Sequence, residues 1–218
     1  PEPVADQIQG YSENLIVEPI LGTRFVKEHV SEVITKANET DVVVLGPGLG
    51  DARDTRNAVV EFLESYEGRA VIDADALGAV PEVATDADLI CTPHQGEFVD
   101  MGGTGTADWQ ERADYVEALA SDLDQTLLVK GPYDIVSDGE TTRVNRTGNP
   151  GMTTGGTGDI LAGTTGALFA TLDDLEAAAA GAYVTGNAGD IVVDSQGYGL
   201  VASDLLAALP HAMWGDDR

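Results

Sequence analysis

The chain has 218 residues, 43% of them hydrophobic, enough for one large domain with a substantial core. Its 11 basic residues stand against 38 acidic ones, a formal net charge of −27, and a surface of that sign repels nucleic acid and anionic membranes. The single cysteine, Cys91, excludes an intrachain disulfide and a cysteine-rich metal site, and no apolar run approaches the roughly 20 residues that span a bilayer.

Taken in chain order, Asn14-Leu15-Ile16-Val17 reads as a strand-like piece with polar flanks. Thr23 to Asn38 carries Phe25, Val26, Val30, Val33 and Ile34 at helical spacing and predicts an amphipathic helix with His29 among its polar neighbours. Asp41 to Leu45 is a continuous apolar run bounded by turn residues, the pattern of a strand buried on both faces of a parallel sheet. It runs directly into Gly46-Pro47-Gly48-Leu49-Gly50. A helix over about 52–66 returns the chain to a second strand, Arg69 to Asp73, and Ala87 to Cys91 forms a third, followed by Thr92-Pro93-His94-Gln95-Gly96-Glu97. A helix from Trp109 to Ser121 leads into the strand Thr126 to Lys130. This is the rhythm of βαβ units. It then changes: Tyr133–Ser137 and Thr141–Asn145 flank Asp138-Gly139, a pair that favours a type I′ hairpin. After a glycine-rich loop come helices from Asp159 to Leu172, from Asp174 to about Val193, and from Val201 to Leu209. No repeat or linker divides the chain, which reads as one α/β domain over residues 1–218 with helices on both faces of the sheet. Dense carboxylates with few lysines suggest adaptation to high salt, where screening suppresses self-repulsion, and the lack of a signal peptide suggests a cytoplasmic protein.

In open parallel sheets ligands collect at the carboxyl ends of the strands, and the unusual motifs here all follow strands. Glycines 151, 155, 156 and 158 leave backbone amides unshielded, and the helix that follows adds its own unpaired N–H groups, so this loop suits a phosphate. Asp159 at its end has two readings of equal weight. It is a first-turn aspartate that stabilises the helix, or a base that positions a substrate hydroxyl for phosphoryl transfer. Lys130 is either a strand-end lysine that snorkels to solvent or a point charge for a phosphate, and its presence at the sheet edge of a lysine-poor chain favours the second. His94 and Glu97 make too small a set for a metal, which leaves a hydrogen bond from His94 to a substrate, or anchoring of its own loop. Gly46 to Gly50 lacks both the Walker lysine and the dinucleotide spacing, and by itself it reads as a tight strand-to-helix turn.

Together, Gly46-Pro47-Gly48-Leu49-Gly50, Thr92-Pro93-His94-Gln95-Gly96-Glu97, Lys130-Gly131, Gly148-Asn149-Pro150-Gly151-Met152 and Gly155-Gly156-Thr157-Gly158-Asp159 resemble the ADP/ATP-dependent NAD(P)H-hydrate dehydratases, in a haloarchaeal-like version. The resemblance runs from about Asp41 to Pro210. It implies a ribokinase-like three-layer sandwich with a mainly parallel central sheet and an antiparallel hairpin. It also implies repair of hydrated NADH or NADPH, by phosphorylation of the ring hydroxyl and elimination of phosphate. On this resemblance Asp159 is the base and also binds substrate. Gly155, Gly156, Thr157 and Gly158 form the anion hole, Lys130 and Gly131 contact the nucleotide phosphates, and Gly48 and His94 contact the hydrated cofactor. ADP or ATP is the donor, Mg²⁺ accompanies the nucleotide without direct protein ligands, and a homo-oligomer, a tetramer or larger, is implied. Nothing before Asp41 matches the strand-helix unit with which the family usually begins, and nothing matches the epimerase domain fused upstream in many members. The alternatives are a kinase of the same superfamily acting on a hydroxymethylpyrimidine- or thiazole-type alcohol, and a non-catalytic nucleotide-binding protein.

Overall fold

The computed structural model describes residues 1–215; residues 216–218 of the predicted domain lie outside them. In chain order it contains α1 (Glu2–Gln9), α2 (Lys27–Ala37), β1 (Val43–Leu45), α3 (Arg53–Ser65), β2 (Arg69–Ile72), a 3₁₀ segment (Ala74–Glu82), β3 (Asp88–Cys91), α4 (Gln95–Asp100), α5 (Trp109–Leu123), β4 (Thr126–Val129), β5 (Asp134–Ser137), β6 (Thr142–Asn145), α6 (Thr157–Phe169), α7 (Asp174–Gln196) and α8 (Ala202–Trp214).

The six strands lie in sequence order, β1 to β4 parallel and β4 to β6 antiparallel. Alternation along each strand decides which layer it feeds. Ala70, Ile72, Leu89, Cys91, Leu127, Val129 and Ile135 join the core with Phe62, Leu63 and Val116 of α3 and α5. Val71, Ile90, Leu128 and Val136 point the other way, into a core with Leu161, Phe169 and Ala178 of α6 and α7. The result is the expected three-layer α/β sandwich. Helix starts are fixed locally: Asp108 accepts from Gln110 N and Glu111 N, and Asp173 from Glu176 N, each satisfying amides that lack a partner in the first turn. Burial pushes the Cys91 thiol up to about 12, which makes it an inert core residue.

Three local expectations are corrected. Asn14–Val17 is irregular rather than a strand, with Ile16 94% exposed; an apolar run becomes a strand only where a ladder is offered to it. β1 is an edge strand among the described residues and Val44 is 42% exposed, so the run at Asp41–Leu45 is not covered on both faces. Ser137 pairs with Thr142, leaving a four-residue loop in place of the two-residue turn. Asp138 Oδ1 accepts from the amides of Glu140 (2.9 Å) and Thr141 (2.7 Å), an Asx-type turn. Among the described residues no helix is long and apolar enough to cross a membrane.

Candidate active site

The loops after β1 to β4 all open on one edge of the sheet, and backbone bonds extend the ladder into them. Asp73 N donates to Leu45 O (3.0 Å), Thr92 N to Ile72 O (2.9 Å) and Lys130 N to Pro93 O (2.8 Å). Where these loops meet lies the Asp73 carboxylate, its side chain 3% exposed. Its Oδ1 accepts from Thr92 Oγ1 (2.8 Å) and from Lys130 Nζ (2.8 Å). Gly46 belongs to the same knot. It has φ +136°, and a Cβ there would lie 1.7 Å from the Asp73 carbonyl oxygen, so only glycine lets the first loop cross the end of β2. Ala74 follows with φ +48°, an unfavourable left-handed conformation for a residue with a Cβ. Asp75 Oδ2 then accepts from Gly50 N (2.7 Å). The short run Asp73-Ala74-Asp75 thus ties together the Gly46–Gly50 turn, the Thr92 loop and Lys130.

The Lys130 ammonium faces the glycine loop: a Cβ on Gly158 would lie 3.5 Å from Nζ. Gly156 begins α6 with φ +94°, a left-handed conformation that glycine adopts freely. At Gly155 a Cβ would meet nothing within 4 Å, so the protein itself leaves room there for a side chain, and its absence keeps open space over the amides. The Thr157 hydroxyl lies 2.9 Å from Met152 O and 3.0 Å from Thr154 O and closes the loop on itself, which leaves its backbone amide as the group facing an anion. Asp159 stands in the first turn of α6, exposed, and its carboxylate has no hydrogen bond or ion pair with any described residue. An anionic side chain here gains from the helix dipole and stays available to a ligand.

His94 turns out to anchor its loop. Nδ1 accepts from the amides of Gly96 and Glu97 (3.0 Å each), and Glu97 Oε2 accepts from His94 N (2.7 Å), a reciprocal capping box that starts α4. A ring accepting at Nδ1 carries its proton on Nε2, which lies 3.5 Å from Glu97 Oε1, and the side chain is 61% exposed, so a ligand would share this edge of the ring with Glu97. Gly48, with φ +72° and open space where a Cβ would be, sits in the turn pinned through Gly50. Gly131 N donates to Asp134 Oδ1 (3.0 Å), holding the turn that follows Lys130. Burial raises the pKa of Asp134, against hydrogen bonds from Asn145 and Gly131 and the charges of Arg112 and Lys130, which lower it. Beside this turn Trp109 meets Tyr133 edge-on at 5.6 Å, and the Arg146 guanidinium lies 5.8 Å from each ring.

The segment leading into the glycine loop rests on α7. A Cβ at Gly186 would lie 2.3 Å from Thr147 Oγ1, and one at Gly189 2.2 Å from Met152 Sδ. Asp190 accepts from Gly148 N (2.9 Å) and Asn149 Nδ2 (2.8 Å). Asp73, Asp75 and Asp190 were absent from the sequence-based site. The only signal for Asp73 and Asp75 was their place directly after a buried strand at the ligand edge. Among the described residues, no three His, Cys, Asp or Glu side chains gather as a metal-binding set.

A family model described as NAD(P)H-hydrate dehydratase matches residues 3–211. The chain is 41% identical over 217 residues to the bifunctional NAD(P)H-hydrate repair enzyme of Pyrobaculum aerophilum, covering 98% of this chain and 43% of that protein. It is 40% identical over 184 residues to the ADP-dependent (S)-NAD(P)H-hydrate dehydratase of Cenarchaeum symbiosum, covering 82% of this chain and 63% of that one. The chain therefore spans less than two thirds of the length of these relatives. Among solved structures, the ADP/ATP-dependent NAD(P)H-hydrate dehydratase of Bacillus subtilis, co-crystallised with ATP/Mg²⁺, superposes with a TM-score of 0.70 at 28% identity, over 79% of this chain and 63% of that one. A hydroxyethylthiazole kinase from Pyrococcus horikoshii, at 20% identity and a TM-score of 0.65 over 86% of this chain and 76% of that one, shares the fold.

Proposed function

Since the chain belongs to the NAD(P)H-hydrate dehydratase family, we propose that it repairs hydrated NADH or NADPH at the expense of ADP or ATP. The observation that carries this reading is the meeting of Lys130 with the start of α6. An ammonium lies 3.5 Å from where a Gly158 Cβ would be, and the next residue is Asp159, whose exposed carboxylate has no partner among the described residues. Positive charge, open amides and a base share one edge, which is what transfer of a phosphoryl group to an alcohol needs.

In this reading the Gly155–Gly158 amides and Lys130 hold the transferring phosphoryl, and Asp159 takes the proton of the ring hydroxyl. The hydroxyl oxygen forms its bond to phosphorus as the bond to the nucleotide breaks. Phosphate then leaves with the help of the ring nitrogen lone pair, and loss of a proton from the neighbouring carbon restores the dihydronicotinamide. Gly48 and the exposed Nε2 of His94 face the hydrated ring. Tyr133, Trp109 and Arg146, beside Gly131, offer flat surface on which a base stacks. Mg²⁺ would enter as the partner of the nucleotide phosphates and supply charge neutralisation there, and no step is routed through it. The chain forms one domain, works in the cytoplasm at high salt and assembles as a homo-oligomer, the last supported by the exposed apolar side chains Tyr183 and Leu206 on α7 and α8.

The test is incubation with hydrated NADH, Mg²⁺ and ADP or ATP at high salt, following the return of NADH absorbance. Regeneration is the expected result. Its absence, with phosphorylation of a thiazole or pyrimidine alcohol instead, would replace this reading with a kinase. Asp159→Asn should lower turnover by at least about a hundredfold while nucleotide binding measured by calorimetry persists. A variant with near-native turnover removes Asp159 as the base.

A further inference from the structure

The Asp73–Lys130 pair is placed oddly for a site that binds phosphate. A carboxylate 2.8 Å from the ammonium cancels much of the positive charge that would attract an anion, and repels the anion itself. For affinity alone, the lysine would do better without it. A surface ion pair could be dismissed as incidental, but this one is largely enclosed, with the lysine side chain 21% and the aspartate 3% exposed, and withdrawing a carboxylate from water is costly unless its partners are well placed. Asp73 is also held from the other side by Thr92 Oγ1, and its backbone is clamped between Gly46 and Ala74, in contact with the former at a distance no Cβ could share.

We propose that Asp73 is a positioning residue for phosphoryl transfer. It fixes the Lys130 ammonium on the glycine-loop side and lowers nucleotide affinity in exchange for orientation. This rests on the reading of Lys130 as the phosphate-facing charge. A long lysine stem without Asp73 has many rotamers from which to meet a bound phosphate in its ground state. Held by Asp73, it keeps the place at which charge develops as the phosphoryl moves, and a group set in advance contributes more to the transition state than to binding. Removing the carboxylate while keeping its shape should therefore separate binding from turnover, in opposite directions.

The experiment compares wild type, Asp73→Asn, Lys130→Met and the double variant, each checked by thermal melting, for ADP affinity by calorimetry and for turnover of hydrated NADH. The expected result is that Asp73→Asn binds ADP at least about threefold more tightly while kcat falls at least about tenfold, and that the kcat loss, which acts through the lysine, vanishes in the Lys130→Met background. A purely structural role predicts weaker ADP binding and lower kcat together, equal in both lysine backgrounds, and that outcome overturns the proposal, as does unchanged ADP affinity. Should Asp73→Asn fail to fold, Thr92→Val, which removes the other donor to the same carboxylate oxygen but keeps its charge, must lower kcat while leaving ADP affinity unchanged, and parallel losses of both there also overturn it. If wild type binds ADP but does not regenerate NADH, the dehydratase reading fails, while unchanged ADP affinity in Asp73→Asn separately overturns the role of Asp73.

Discussion

His94 divides one ring between two tasks. Nδ1 is spent on the first amides of α4, and Nε2, 3.5 Å from Glu97 Oε1, is the exposed edge proposed to meet the hydrated cofactor, so the two can be separated by substitution. Asparagine caps a helix as well as any residue, whereas alanine in place of a capping side chain costs about 1 kcal/mol. His94→Asn should therefore melt close to wild type and His94→Ala should melt a few degrees lower, while KM for hydrated NADH rises several-fold in both. A His94→Asn variant with the native KM would reduce His94 to a loop anchor. The same residue shows why a site is only half written in a sequence. A histidine after a buried strand signals its place on the ligand edge, but the direction of each ring nitrogen is decided by amides that become available only once α4 has formed.

At the scale of elements, the turn from β4 to β5 carries Gly131 beside the anion site and is held by Asp134, whose oxygens accept from Gly131 N and Asn145 Nδ2. Burial raises the Asp134 pKa despite those bonds and the charges of Arg112 and Lys130. The sign follows from linkage. Below the unfolded value of about 3.9 both states hold the proton; as pH rises past it the unfolded chain ionises first, and stability falls until the folded pKa is passed. Urea melts of wild type and Asp134→Asn across this range should show the difference shifting against wild type as pH rises. A difference that stays flat removes the buried-charge account of this turn. The strands and helices around it were legible because apolar spacing reports which face is covered. Lys130, the glycine loop and Asp159 were legible because polar residues at the ends of apolar strands stand out. The hairpin register, the edge position of β1 and the irregular Asn14–Val17 were not, since pairing between segments decides all three. Nor was Asp73, whose partners Thr92 and Lys130 lie 19 and 57 residues away and leave no periodicity behind. Gly46 is the same case: its glycine is required by the Asp73 carbonyl, a neighbour known only from the fold.

For the molecule as a whole, 38 acidic residues against 11 basic ones leave most carboxylates without a possible ionic partner. Apart from Asp73–Lys130, the pairs that form among the described residues, Lys27–Glu61 and Arg56–Glu82 among them, are largely exposed and contribute little. The dominant long-range term is thus repulsion among like charges, which opposes the compact state. Its range is about 10 Å at 0.1 M salt and about 3 Å at 1 M, so much of it should disappear between those concentrations. If screening relieves about 3 kcal/mol, a domain of this size gains about 10 °C in Tm, and that rise is the expected result in potassium chloride. Stronger effective burial would also raise Tm, so sucrose, which favours burial without screening charge, serves as the control and should not reproduce the steep rise. The Asp73–Lys130 pair is enclosed and is screened far less than the surface. Turnover per folded molecule should therefore change much less with salt than the folded fraction does. A Tm that is flat in potassium chloride, or matched by sucrose, would separate the acidic surface from salt adaptation and leave it a solubility device alone.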